Sequence, residues 1–216
     1  MNNMDPLRRL LSSPAASKNI YGVVIGIVTN NQDPDGLGRI KVKFPWLSDE
    51  DESHWARIAT PMAGNERGLY YLPEVDDEVL MAFEHGQVDF PYVVGCLWNG
   101  KDKPPEDNGD GENNLRTIKS RSGHVIRLDD TDGAEKIEII DKSASNSFVI
   151  DTSSNAITIM ADGDITLESA SGNVIIKGQS VEIEATAADV KAKSSANMEL
   201  EAGGQCNVSG SVINLN

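Results

Sequence analysis

The chain has 216 residues and a formal net charge of −15, with 19 lysines and arginines against 34 aspartates and glutamates. That length allows one or two small domains. The acidic balance repels nucleic-acid phosphates, and in its simplest reading it serves solubility. No apolar run approaches the ~20 residues of a membrane-spanning helix, and Cys96 and Cys206 are too few and too far apart for a disulfide framework.

The first stretch, "MNNMDPLRRLLSSPAAS", lacks the apolar centre of a secretion signal. Synthesis in the cytoplasm without a signal peptide, in a reducing compartment, is therefore expected. Leu7, Leu10 and Leu11 flank Arg8 and Arg9, so residues 1–19 read either as an anchoring segment or as a disordered tail.

Residues 20–98 read as strands of mixed length at Tyr21–Thr29, Leu37–Phe44, His54–Thr60, Asp77–Glu84 and Tyr92–Leu97. Pro45, Pro61, Gly64, Pro73, Gly86 and Pro91 punctuate them. Five strands in so short a span predict a small closed barrel, of which the OB-fold is the common five-stranded form. Within it, "DPDGLGRIKVKFPW" (33–46) sets a type I turn at Asp33-Pro34-Asp35-Gly36 and then a strand. Ile40, Val42 and Phe44 fall on one face of that strand and Arg39, Lys41 and Lys43 on the other. Residues 99–114, "NGKDKPPEDNGDGENN", are almost free of apolar side chains and read as a linker.

From Leu115 to Asn216 the pattern changes. After Asn155 an apolar-x-apolar triplet recurs, separated by small or polar residues. The pairs are Ile157/Ile159, Ile165/Leu167, Val174/Ile176, Val181/Ile183, Val190/Ala192, Met198/Leu200, Cys206/Val208 and Ile213/Leu215. Successive pairs start 8, 9, 7, 9, 8, 8 and 7 residues apart, a loose octad. Alternation of period two puts each pair inside and the residue between them outside, with Ile175 the one apolar exception. Short strands joined by small-residue turns are the mark of a β-solenoid. One chain alone would wind fewer than three triangular coils, too small a core to offset its conformational entropy. Three intertwined chains would gain one strand per face per octad and pool the apolar pairs on a common axis, building a prism of ~40–50 Å at ~4.8 Å per strand. The expected fold is thus all-β, an OB barrel followed by an intertwined trimeric triangular β-helix. A single-chain solenoid or a sandwich edge is the plainer alternative.

Three blocks carry a likeness to a known family: "DPDGLGRIKVKFPW", "HWARIATPMAGNERGLYYLPEVDDEVLMAFEHGQVDFPYVVGCLWNG" and "SRSGHVIRLDDTDGAEKIEIIDK". Together, over roughly residues 20–150, they resemble the phage baseplate assembly protein V family, whose core also occurs in the C-terminal part of VgrG proteins of type VI secretion systems. The resemblance implies the trimeric central spike of a contractile injection machine, whether a phage tail, a tailocin or an extracellular injection system. It implies an OB domain at the base, a needle making transient contact with a target membrane, and assembly into a virion tail or injection particle. The chain shows no large hub region before the barrel, so a separate baseplate hub protein is expected. It shows no lysozyme-like insertion either, so no cell-wall digestion is expected of it. Residues 1–19 and the basic face of Arg39, Lys41 and Lys43 are candidates for contact with the hub or the next protomer, a solvated strand face being the simpler account of the latter. Ile213 and Leu215, on a last strand with no following turn, are candidates for contact with a tip protein of the PAAR-repeat type. The trimer-core candidates are Ile157, Ile159, Ile165, Leu167, Val174, Ile176, Val181, Ile183, Met198, Leu200, Val208, Ile213 and Leu215.

Residues that could carry chemistry point to none. Asn31, Asp33, Asp35 and Gly36 fit the start of a calcium loop, but Arg39 stands at its ninth position and Val42 where a bidentate glutamate is needed. His54, His85 and His124 have no zinc-ligand spacing. Cys206 would approach a trimer axis but reads as a small buried hydrophobe. No nucleophile elbow, P-loop or dinucleotide motif is present, and "SDEDES" and "EVDDEV" read as solvated loops. No catalytic, cofactor or metal residue is assigned, and the protein is expected not to be an enzyme. Trp46, Trp55 and Trp98 could stack bases in an OB groove, but packing in a core or interface suits an acidic chain better. The rival function is an OB-type ligand- or nucleic-acid-binding module on a trimeric adhesive stalk, and a third is a β-helical polysaccharide enzyme.

Overall fold

A computed structural model describes residues 19–214. Among them are thirteen strands, β1 (Val24–Asn30), β2 (Lys41–Phe44), β3 (Ser48–Glu52), β4 (Arg57–Ile58), β5 (Ala63–Gly64), β6 (Arg67–Gly68), β7 (Glu78–Phe83), β8 (Pro91–Cys96), β9 (Leu115–Lys119), β10 (Val125–Asp129), β11 (Lys136–Ile140), β12 (Ser147–Asp151) and β13 (Ala156–Met160). A single 3₁₀ turn, Glu84–Gly86, is the only helical element among the described residues. No helix there is long and apolar enough to cross a membrane.

The first sheet runs β3-β2-β1-β7-β8-β4. Its ladders are antiparallel except β4 with β8, which is parallel. A bridge between Ile40 and Ala56 then returns the chain from β4 to the start of β2, with N–H···O distances of 3.1 and 2.7 Å. The cyclic order β1-β2-β4-β8-β7 is that of a closed five-stranded Greek-key barrel, the expected OB architecture.

Alternation fills this barrel. Ile40, Val42 and Phe44 point inward and meet Val28, Ala56, Val79, Met81 and Val93, all essentially without exposure. Gly26 on β1 lies where a Cβ would come within 3.1 Å of Val42 and 3.2 Å of Met81, so it lets those side chains meet. The Phe44–Leu47 turn has Pro45 at its second position and leads into β3, whose acidic sequence disguises it. At the other end Ile20 N–H donates to Gly86 O at 2.8 Å, and Gly86 holds φ of +75°.

Residues 115–216 were expected as one β-helical unit, yet the chain divides after Met160. Strands β9 to β13 form an antiparallel meander in sequence order. Its turns carry hairpin chemistry, with positive φ at Gly123, Gly133, Ala144 and Asn155. Asp129, Asp141 and Asp151 head three of them and accept bonds from residues two to five positions later. The Ser143 hydroxyl, followed by Asn146, holds the Asp141 carboxyl at about 2. The Ser153 hydroxyl, with the Ser154 amide, does the same for Asp151, also at about 2.

Residues 161–214 show no strand ladder among themselves. Straight segments alternate with bends centred on Asp162-Gly163, Ser171, Gln179, Ala187, Ser195-Ala196, Gly203-Gly204 and Ser211. These bends recur about every eight residues, in step with the apolar pairs.

Candidate interaction surfaces

The basic strand face is organised from Asp33. The Asp33–Gly36 turn closes through Gly36 N–H to Asp33 O at 3.1 Å. The Asp33 carboxylate, only 3% exposed, then accepts from the amides of Asp35, Leu37 and Arg39 and from two nitrogens of the Arg39 guanidinium at 2.7 and 2.8 Å. The guanidinium, helped by those amides, holds this carboxyl far below the usual carboxylate range. Asp35 bonds the same guanidinium at 2.5 Å. Arg39 therefore occupies the carboxylates that a calcium loop would have offered to a cation.

Lys41 pairs with Glu52 on β3 at 3.1 Å, and Trp55 lies beneath both cations, 5.9 Å from the Arg39 guanidinium carbon and 5.6 Å from Lys41 Nζ. Both bases thus have partners within their own chain, and Lys43 continues their face of β2. Trp46 tilts against Phe44 at 5.9 Å, while Trp98 is largely exposed. The three histidines stay apart. His54 Nε2 lies 3.8 Å from Asp89, His124 accepts the Lys142 amide at 3.3 Å, and His85 sits in the 3₁₀ turn. Among the described residues no cluster of three or more potential metal ligands forms.

The meander has two unlike faces. One is polar. There Glu138 is nearly buried, 3.0 Å from Lys136 and 3.7 Å from Arg127. Glu106, from the segment between β8 and β9, reaches across to bond Thr117 at 2.8 Å and Arg127 at 2.9 Å. The segment expected as a linker is thereby tied to the sheet.

The other face is apolar and bare. Strand register aligns Ile118, Ile126, Ile139, Phe148 and Ile159 in one row, and Leu128, Ile137, Ile150 and Ile157 in a second, with Arg116 at its end. Ile118, Ile139, Ile157 and Ile159 are each half exposed or more. Tyr71 of the barrel borders a hollow of about 640 Å³ on this face, shared with Ile118, Ile126, Ile139 and Phe148. Period-two alternation in "LRTIK", "VIRLD", "KIEII" and "SFVID" was the available signal for this surface. The octad pattern had claimed only its last strand, through Ile157 and Ile159.

The remaining trimer-core candidates, Ile165, Leu167, Val174, Ile176, Val181, Ile183, Met198, Leu200, Val208 and Ile213, are all exposed in the lone chain. Leu215 lies outside the described residues, as do Leu7, Leu10 and Leu11. A folded protein does not ordinarily leave so many aliphatic side chains together in water.

Residues 24–98, the closed barrel, match the family model described as the type VI secretion system/phage-baseplate injector OB domain. The chain is also similar to type VI secretion system spike proteins. It is 29% identical to VgrG3 of Vibrio cholerae over 136 residues, covering 57% of this chain and 13% of that protein. It is 29% identical to VgrG1a of Pseudomonas aeruginosa over 128 residues, covering 54% and 20%. It is 32% identical to VgrG2a of the same organism over 117 residues, covering 50% and 14%. The chain thus spans a fifth or less of the length of these relatives. Through its barrel, the chain is similar to the baseplate V/VgrG injector proteins, and residues 24–98 carry their OB domain.

Proposed function

We propose that this chain is the central spike of a contractile injection machine, joining a baseplate hub to a membrane-piercing tip, and that its role is mechanical rather than enzymatic. One observation carries the reading: an aliphatic sheet face and a run of aliphatic pairs lie bare in the single chain, and the bends between those pairs keep octad time. Three chains intertwined over residues 161–216 would bury the pairs on one axis and give each straight segment a neighbour for its unpaired backbone groups. Two further copies would cover the apolar face of the meander. The result is stiff, with a dry interior and a polar exterior that offers lipid no apolar surface to hold.

In this machine a sheath drives the spike, and the needle touches the target membrane only in passing. Arg39, Lys41 and Lys43 are proposed to face the hub or the next protomer. A PAAR-type tip protein is proposed to cap the strand ends around Ile213 and Leu215. The spike-protein names of the relatives support this reading over a nucleic-acid-binding module. Light scattering of the purified full chain tests it. The expected species is three chains of 23.3 kDa each, resistant to heat and detergent. A well-behaved monomer at micromolar concentration would end the proposal.

A further inference from the structure

The straight segments of residues 161–214 carry more than their apolar pairs. Alternation puts three positions of each segment on the side away from the pair, namely the residue before it, the one between its members and the one after. Asp189 and Lys191, on either side of Val190, join at 3.2 Å and so share that outer side.

Read from segment to segment, the position after the pair runs Glu168, Lys177, Glu184, Lys193, Glu201. Its charge alternates at every step. Over the same stretch, the position between the pair starts with the uncharged Thr166 and Ile175 and then alternates over the last three segments as Glu182, Lys191, Glu199. Which segments are neighbours decides what these charges meet. Copies stacked with identical segments side by side would set Lys193 on Lys193 and Glu184 on Glu184, and like charges directly opposed are destabilising. A single chain wound on itself would place neighbours three octads apart. The first column would still match, Glu168 with Lys193 and Lys177 with Glu201, but Glu182 would face Asn207, Lys191 would face Asn214 and Ile175 would face Glu199, leaving the central column without a single charge pair. An offset of one octad between different chains sets a glutamate beside a lysine at every step from Glu168 to Glu201 in the first column and from Glu182 to Glu199 in the second.

We propose that these two columns form an interchain ion ladder in which each shaft lysine is held between glutamates of the two other copies, and that this ladder selects the one-octad offset. The partner surface is a second copy of this chain displaced by one octad. The inference rests on the three-chain needle proposed above and adds to it a register and named contacts. Exposed ion pairs contribute little stability, so the apolar interior holds the chains together. The ladder acts on alignment instead. A segment bearing aliphatic pairs every eight residues could bury them equally well after slipping one octad, and only the outer charges tell the two registers apart.

Zero-length carbodiimide coupling of the purified full chain tests the ladder, because it joins a lysine amine only to a carboxylate in direct contact. Native mass is measured on the same sample. The expected result is a covalent trimer on a denaturing gel, with linked peptides joining Lys177 to Glu168 or Glu184, and Lys193 to Glu184 or Glu201. A native trimer whose Lys177 and Lys193 couple to none of these carboxylates would overturn the ladder and leave the needle standing. A native monomer would remove the needle, and the ladder with it. Links from Lys193 to Glu168 within that monomer would identify a chain wound on itself.

Discussion

Ile139→Asp offers a direct measure of what covers the apolar face of the meander. Ile139 is 50% exposed, so the lone chain gives up only about half of the roughly 1.5–3 kcal/mol that full burial of such a side chain provides. The single-chain fold should therefore survive the change. In the proposed trimer the other half of that burial is lost three times over, about 3 kcal/mol in all. Three carboxylates are also taken out of water toward one another, at several kcal/mol each. The sum is on the order of 10 kcal/mol per trimer, about seven decades in the association constant. Sedimentation velocity at micromolar concentration should show the variant as a monomer, with tryptophan fluorescence reporting an intact barrel. Thr158→Asp, on the opposite face of the same sheet, should leave the assembly unchanged. An Ile139→Asp protein that assembles as tightly as its parent would refute the idea that this face is an interface.

Other perturbations have equally definite outcomes. Phe44→Ala empties the centre of the barrel, where Phe44 meets Phe83 at 5.8 Å, and should cost about 3–5 kcal/mol in urea unfolding followed through Trp46. Gly68→Ala would set a Cβ 2.5 Å from the Met62 carbonyl oxygen at φ of +152°, a strain of about 1–3 kcal/mol. Faster hydrogen exchange at Leu69, whose amide bonds that same oxygen at 3.0 Å, should report it, and unchanged exchange would count against the strained turn. Asp141 and Asp151 titrate at about 2 in the folded chain, below the ~3.9 of an unfolded aspartate. Their contribution is therefore complete above about pH 4 and fades as the pH falls toward 2. Exchange of the β11–β12 and β12–β13 turn amides, corrected for intrinsic rate, should rise over that window while the core amides of Val42 and Val79 stay protected. Deleting residues 211–216 should abolish binding of a PAAR-type tip protein in a pull-down and leave the native mass that of a trimer.

The barrel was legible because its strands bury one face and wet the other, so Ile40-Val42-Phe44 and Val79-Met81-Phe83 announce themselves by alternation. Strand β3 was not, since "SDEDE" holds its place through backbone bonds to β2 and carries no apolar signal. The β5–β6 hairpin is two residues a side and has no periodicity to detect. The meander hid for another reason. Its alternation is present, but the polar face also holds Val125, Ile140 and Val149 among its charges, which blurs the contrast between faces. The octads were visible as a spacing, whereas the charge columns appear only after the segments are aligned on their bends.

The barrel closes unevenly. Its other neighbouring strands share ladders of two to five residue pairs, but β2 and β4 meet only at the bridge of Ile40 and Ala56. Both residues are wholly buried, so this seam is sealed by the side chains beneath it more than by a run of hydrogen bonds. In a hoop under load, opening begins at the joint with the fewest stitches. Any pull spread around the wall should part it there first, and the amides of Ile40 and Ala56 should be the earliest in the hoop to trade their hydrogens with water.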